Sequence, residues 1–377
     1  MNARAHSLYL TGARVVLPGD VLPEAAVLVE GGVIAAIDLR GATLIPGLID
    51  LHCDALEKEV EPRPNVLFPL DFACAQADKR NAVAGVTTVF HALSFANQEL
   101  GVRNNAFAAS VARAVHDWNP HALIDNRVHC RYEVTDPTAP PILLELMHAD
   151  EVHLLSVMDH SPGQGQFKDF AAFRDYMART YKKTDAELDA MLAQKLAQAG
   201  SAMERIRQLI GAARDQGIHV ASHDDDTPEK VAELSELGVN ISEFPVNMAA
   251  AQAARGLGMM TVFGAPNILR GKSQSGSMRA LDAVHAGVAD CLCADYHPAT
   301  LLAAVFGLPA LADIALPEAV RLVSANPARA AGLADRGEIA VGKRADLVAV
   351  SQVKGLAQAS RVFSGGALVY QARFDHV

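Results

Sequence analysis

The sequence predicts an α/β protein, a (β/α)8 TIM barrel with a small β-sandwich domain built from both chain ends. Three observations lead there. Between residues 46 and 298, eight short apolar runs alternate with helical patterns, the sign of a parallel sheet. The two ends, 1–45 and 335–377, read instead as strands and tight turns. Metal-capable side chains recur just past the apolar runs, where a barrel keeps its chemistry.

Taken in order, the N-terminal strands are expected at Ser7–Leu10, Ala13–Leu17, Ala26–Glu30 and Gly32–Asp38, with Gly31-Gly32 as a hairpin signal. The barrel, residues 46–334, has candidate strands at Gly47–Cys53, Thr87–Ala92, Val128–Val134 and Val152–Met158. It continues with His219–Ser222, Ile241–Pro245, Met259–Gly264 and Cys291–Ala294. A helical insertion at about 167–210 follows the fourth strand, with Thr184-x-x-Glu187 as a capping box. Its Lys168, Arg174, Arg179, Lys182 and Lys183 read first as a solvated helix face and second as cations of a lid. The chain returns to the small domain through Gly337-Glu338-Ile339 and Gly342–Val350, and Arg361–Tyr370 closes it as a strand pair.

A chain of 377 residues has room for one large domain and one small one. Its 50% hydrophobic and 20% charged content is ordinary for an α/β protein. No apolar run reaches membrane-spanning length, and Met1-Asn2-Ala3-Arg4-Ala5-His6 lacks a signal-peptide core. The five cysteines are an odd number without zinc-finger spacing, which predicts reduced thiols and a cytoplasmic location. A net charge of −10 argues against a nucleic-acid partner. An anionic small-molecule substrate stays open, because a metal and a few basic residues can reverse the local potential. A homo-oligomer is neither required nor excluded.

The chemistry begins at Pro46-Gly47-Leu48-Ile49-Asp50-Leu51-His52-Cys53-Asp54. Strand side chains alternate faces, so His52 and Asp54 point the same way at the strand end. An imidazole beside a carboxylate is half of a divalent-metal site. The other strand ends add Glu133, Asp159 and His160, His223 with Asp224 to Asp226, Glu243, and Asp295 with His297. Two divalent ions would use this set: His52 and Asp54 for one, His160 and His223 for the other, with Glu133 bridging and Asp295 beside the water. The mixed shell disfavours calcium and leaves Zn, Mn, Fe, Ni and Mg, zinc first. Metal would make bound water acidic, and Asp295 could carry its proton to the leaving group. Among other histidines, His91 and His129 lie within strands and read as core residues, while His6, His116, His121, His148, His153, His285 and His376 read as structural or exposed.

The chain resembles the amidohydrolase superfamily over essentially its full length. The likeness rests on the run ending at His52, on Gly85-Val86-Thr87-Thr88-Val89, on Ser324-Ala325-Asn326-Pro327-Ala328, and on Gly337-Glu338-Ile339 through Val348. Members usually carry H-x-H where this chain has His52-x-Asp54. Many bridge their metals with a carboxylated lysine, for which Glu133 is the natural substitute. Within the superfamily the chain is most similar to the diphosphatases acting on α-D-ribose 1-methylphosphonate 5-triphosphate in the carbon–phosphorus lyase pathway. Glu61-Pro62-Arg63-Pro64, Ser156 through Gln164, Ala221 through Asp225, Gly264 through Gly271 and Ala294-Asp295-Tyr296 carry that resemblance. It implies hydrolysis between the α and β phosphates of a phosphorylated sugar phosphonate, with release of pyrophosphate. Ala55 and Gln274-Ser275-Gly276-Ser277 depart from that family's pattern at positions expected to face substrate.

A triphosphate needs cations. Arg270 and Lys272 follow the seventh strand, where barrels frequently bind phosphate. Arg63 is stiffened between two prolines. Lys58 and Arg131 are further candidates, although Arg131 could simply pair with a barrel carboxylate. The competing readings are a hydrolase or deaminase acting on a carbon–nitrogen bond, and a barrel kept only as a scaffold.

Overall fold

The computed structural model describes residues 8–38, 42–96, 104–160, 200–273 and 276–374, with 186, 189, 193 and 198 as isolated positions. The basic residues expected on the insertion, its Thr184–Glu187 box, and Gln274-Ser275 lie outside these. Among the described residues no helix is long and apolar enough to cross a membrane.

Eight parallel strands form the barrel: β5 (Leu48–Cys53), β6 (Val86–Phe95), β7 (Asp125–Glu133), β8 (Leu154–Met158), β9 (His219–His223), β10 (Ile241–Glu243), β11 (Met260–Gly264) and β12 (Cys291–Cys293). All eight fall where the apolar runs predict strands. Both faces are covered, so strands such as β5 and β6 are buried at every position, which is why they read as continuous apolar runs. Ile49, Leu51, Phe90, Leu154, Ile241 and Val262 fill the barrel interior. Ala328 and Ala330 of the helix Ala325–Ala330 join this cluster and plug the end where the strands begin.

The seam between β5 and β12 is built differently from the other seven. Near the strand starts, Ile49 N–H donates to Val323 O and Leu292 N–H to Leu322 O, each at 2.8 Å. The segment before the plug helix therefore wedges the two strands apart. They meet only near their ends, in one bridge between Cys53 and Asp295. There Asp54 N–H donates to Asp295 O at 2.7 Å, and Asp295 N–H to His52 O at 2.9 Å.

Three residues just past strand ends adopt left-handed backbone: Asp224 (φ +56°), Phe244 (φ +52°) and Asp295 (φ +55°). Each N–H donates at 2.9 Å to the adjacent strand, to Glu243 O, Val262 O and His52 O respectively. This turn swings three side chains over the barrel mouth, in a conformation costly for L-residues.

The chain ends make a second sheet of seven strands, β1 (Leu8–Val16), β2 (Val21–Glu30), β3 (Val33–Asp38), β4 (Thr43–Pro46), β13 (Leu347–Val353), β14 (Leu356–Ser364) and β15 (Ala367–Gln371). Its order is β15-β14-β13-β4-β1-β2-β3. The two N-terminal strands expected at Ser7–Leu10 and Ala13–Leu17 are one strand, with a register shift between Thr11 and Ala13 around Gly12. The short β4, not foreseen, joins the two halves by pairing parallel with β1 and antiparallel with β13. The outer hairpins curl together until a Cβ on Gly366 would lie 3.2 Å from Gly32 Cα. Val15, Val27, Ile34, Leu44, Leu347 and Phe363 are buried beneath. This curled sheet fits the small β-sandwich expected from both ends.

Candidate active site

The mouth of the barrel gathers His52 from β5, His129, Arg131 and Glu133 from β7, His160 after β8, His223 and Asp224 at the end of β9, and Glu243 from β10. Strand alternation explains the composition of β7, since His129, Arg131 and Glu133 sit two residues apart on one face. His52 Nδ1 is 3.2 Å from Glu243 Oε1, and His52 Nε2 is 3.5 Å from Asp54 Oδ1. The two residues foreseen as neighbours at the first strand end are therefore together. Glu243 is fully buried, and its second oxygen faces His129 Nε2 at 3.7 Å. His129 Nδ1 in turn lies 3.0 Å from Leu51 O.

A second group lies beside the first. His160 Nδ1 is 3.2 Å from Glu133 Oε2 and its Nε2 is 3.8 Å from Asp224 Oδ2. His223 Nδ1 is 3.4 Å from the same Asp224 oxygen. Between the groups, Arg131 donates from Nη1 to Asp54 Oδ1 at 3.2 Å. The Phe244 ring stands edge-on to His52 and His223, with centroids 5.0 and 5.3 Å away.

The electrostatics follow from this packing. Burial opposes a charge on His52, but Glu243 and Asp54 raise its pKa to about 10. Burial would also raise Glu243, yet His129 and His52 hold it near 2. His129 falls to about 3, burial being the main cause. Asp295 rises to about 6, through burial first and the charge of Asp54 second. The cluster thus keeps carboxylates ionised around a protonated imidazole, and a metal ion could take that proton's place.

The donor set fits such an ion. His52, His223 and Glu243 bring one ligand atom each within 4.8 Å of one another, and so do His160, His223 and Asp224. Glu243 Oε2, Asp224 Oδ2, His223 Nδ1 and His129 Nε2 are buried without a hydrogen bond, a costly state that a cation would relieve.

The structure brings His52, Asp54, Glu133, His160, His223 and Asp295 to one mouth. It places Glu133 against His160, Glu243 between His52 and His129, and Asp224 between His160 and His223. His129, expected as a core residue, is fully buried and also faces Glu243; its spacing from Arg131 and Glu133 is the signal for that contact. Arg63, Arg270 and Lys272 are exposed. Arg270 Nη1 lies 3.4 Å from Tyr296 Oη, one residue past Asp295. Arg63 sits in a turn closed by Val66 N–H to Arg63 O at 3.0 Å.

Comparison with known proteins agrees with this architecture. The amidohydrolase family model matches residues 43–369. The α-D-ribose 1-methylphosphonate 5-triphosphate diphosphatase of Escherichia coli (strain K12) is 40% identical over 321 residues, 83% of this chain and 84% of that protein. Among solved structures, N-acetylglucosamine-6-phosphate deacetylase from Pasteurella multocida superposes with a TM-score of 0.61 at 15% identity, covering 96% of this chain and 99% of its own. Dihydropyrimidinase from Brevibacillus agri NCHU1002 gives 0.55 at 15% identity, covering 97% and 95%. These two share the fold. With a family match that runs through the whole barrel, this chain belongs to the amidohydrolase family and is a hydrolase.

Proposed function

We propose that the chain is a metal-dependent diphosphatase that hydrolyses α-D-ribose 1-methylphosphonate 5-triphosphate to the 5-phosphate and pyrophosphate. The observation that carries this reading is the 40% identity to the Escherichia coli diphosphatase across 83% of the chain. In this reading residues 46–334 form the catalytic barrel, and 1–45 with 335–377 form the small supporting domain.

Two divalent ions, zinc suiting the imidazole and carboxylate donors best, would be held by His52 and Glu243 with Asp54 alongside, and by His160, His223 and Asp224 with Glu133 alongside. When bound, such ions polarise a phosphoryl oxygen and acidify water. The chain's own groups do the rest. Asp295 holds its proton near pH 6, so its carboxylate can accept a proton from the attacking water and deliver it to the departing pyrophosphate oxygen. Arg131 keeps a fixed positive charge at the floor of the mouth beside Asp54. Arg63, Arg270 and Lys272 are available at the rim for the outer phosphates.

Phosphorus NMR on protein incubated with zinc or manganese and this triphosphate tests the reading. Pyrophosphate is expected with wild type and not with Asp295→Asn. Wild-type protein with bound metal that releases none would overturn it.

A further inference from the structure

Asp50 has no part in the chemistry above, yet it is a fully buried carboxylate in the barrel wall. Its Oδ1 accepts from His52 N–H at 3.2 Å and from Ala294 N–H at 2.9 Å. These amides belong to opposite sides of the seam. One is on the residue whose imidazole meets Glu243; the other immediately precedes Asp295. Asp50 Oδ2 is buried without a hydrogen bond, so one oxygen carries the whole connection. An ionisable side chain is a costly way to fill a barrel wall unless its hydrogen bonds matter.

The need for it comes from the seam itself. Elsewhere in the barrel, ladders such as β7–β8 run through five paired residues. Between β5 and β12 the wedge at Leu322 and Val323 takes the amides near the strand starts, and a single bridge remains at Cys53 and Asp295. The Asp50 carboxylate stands between wedge and bridge and ties the two strands where no ladder exists.

We propose that Asp50 is a positioning residue that clamps this seam and thereby sets His52 against Asp295. The role rests on the metal-dependent reading of the mouth, and it acts through backbone amides rather than through contact with substrate. Loss of the clamp lets β12 move relative to β5, so the two sides of the mouth lose their register. A change in an outer partner of this kind weakens metal binding about 10–100-fold.

Cobalt(II) is a suitable probe, because its d–d absorption reports ligand geometry without turnover. Wild type, Asp50→Ala, Asp50→Asn and Leu143→Ala would be titrated with cobalt and followed by hydrogen exchange. Leu143→Ala empties a fully buried position between barrel and helix, and so supplies a loss of stability away from the seam. Asp50→Ala is expected to alter the cobalt spectrum, weaken binding at least tenfold, and deprotect peptides around 49–54 and 291–296. Asp50→Asn keeps an acceptor oxygen and should return most of the wild-type spectrum, while Leu143→Ala should leave it unchanged. An Asp50→Ala protein with a lower Tm but wild-type spectrum, affinity and exchange at both peptides would overturn the clamp. Wild type that binds no cobalt would overturn both the metal reading and this role. Wild type that binds cobalt but yields no pyrophosphate counts against the substrate alone.

Discussion

Arg131 Nη2 lies 3.4 Å from His223 Nε2, so a buried guanidinium faces an imidazole that the metal-ligand groups also require. Arginine only donates. The guanidinium thus presents N–H groups to the Nε2 side of His223, while Nδ1 faces Asp224. Of the two readings open from the sequence, a phosphate ligand or a partner for a barrel carboxylate, the contact with Asp54 supports the second. Replacing Arg131 with Met should lower pyrophosphate release at least 100-fold while the protein stays folded. Lys should restore little, because it lacks the planar fork that spans Asp54 and His223. Steady-state kinetics with far-UV circular dichroism on both variants measures this.

Glu243 reaches two imidazoles at once, His52 on one oxygen and His129 on the other. Glu243→Gln should weaken zinc binding tenfold or more, since an amide cannot hold both imidazoles as a carboxylate does. Asp159→Asn, outside both groups, should leave the affinity unchanged. Zinc remaining after dialysis against a graded chelator distinguishes the two.

Gly47 explains a letter of the strand-one motif. A Cβ there would sit 2.7 Å from Thr87 Cγ2 and 2.9 Å from Asp346 Cβ, and would collide with Thr87 Oγ1. The barrel strand and the returning chain meet too closely for any side chain. Gly47→Ala should cost roughly 1–3 kcal/mol by overpacking, read as a lower midpoint in urea unfolding.

Arg336 ties the returning chain to the barrel. It donates to Asp125 Oδ2 at 2.6 Å and to Thr88 Oγ1 at 3.0 Å. Burial would raise the Asp125 pKa, but Arg127 and Arg336 hold it below the usual carboxylate value. A depressed carboxylate stabilises the fold above its unfolded pKa and loses that contribution as pH falls through the folded value. Arg336→Met should therefore destabilise by about 2–4 kcal/mol at pH 7, and the gap to wild type should narrow as the pH falls from 5 toward 3. Urea unfolding at pH 7, 5 and 3.5 gives both numbers.

The barrel was legible because each of its strands is covered on both faces and written as an apolar run between turns. The small sheet was less so. A bulge at Gly12 looks like a break between strands, and β4 has only four residues, too few to show a period. In the site, His52 and Asp54 were legible from alternation alone. Glu243 and Asp224 stood among the strand-end residues, but assigning each its pair of imidazoles requires knowing how far each strand extends into the mouth. Asp50 and His129 were hidden for a different reason: a polar residue inside an apolar strand looks the same whether it faces the core or the reaction.

The left-handed turns at Asp224, Phe244 and Asp295 carry a consequence for the robustness of this protein. Each is roughly 1–2 kcal/mol less favourable than ordinary backbone for a residue bearing a Cβ, and glycine removes that penalty. Asp295→Gly also removes a buried carboxyl whose charge the site disfavours. Such a protein should be inert and yet melt a few degrees higher than its parent. A search for heat-tolerant variants that did not monitor turnover would be drawn to these positions and would select against catalysis.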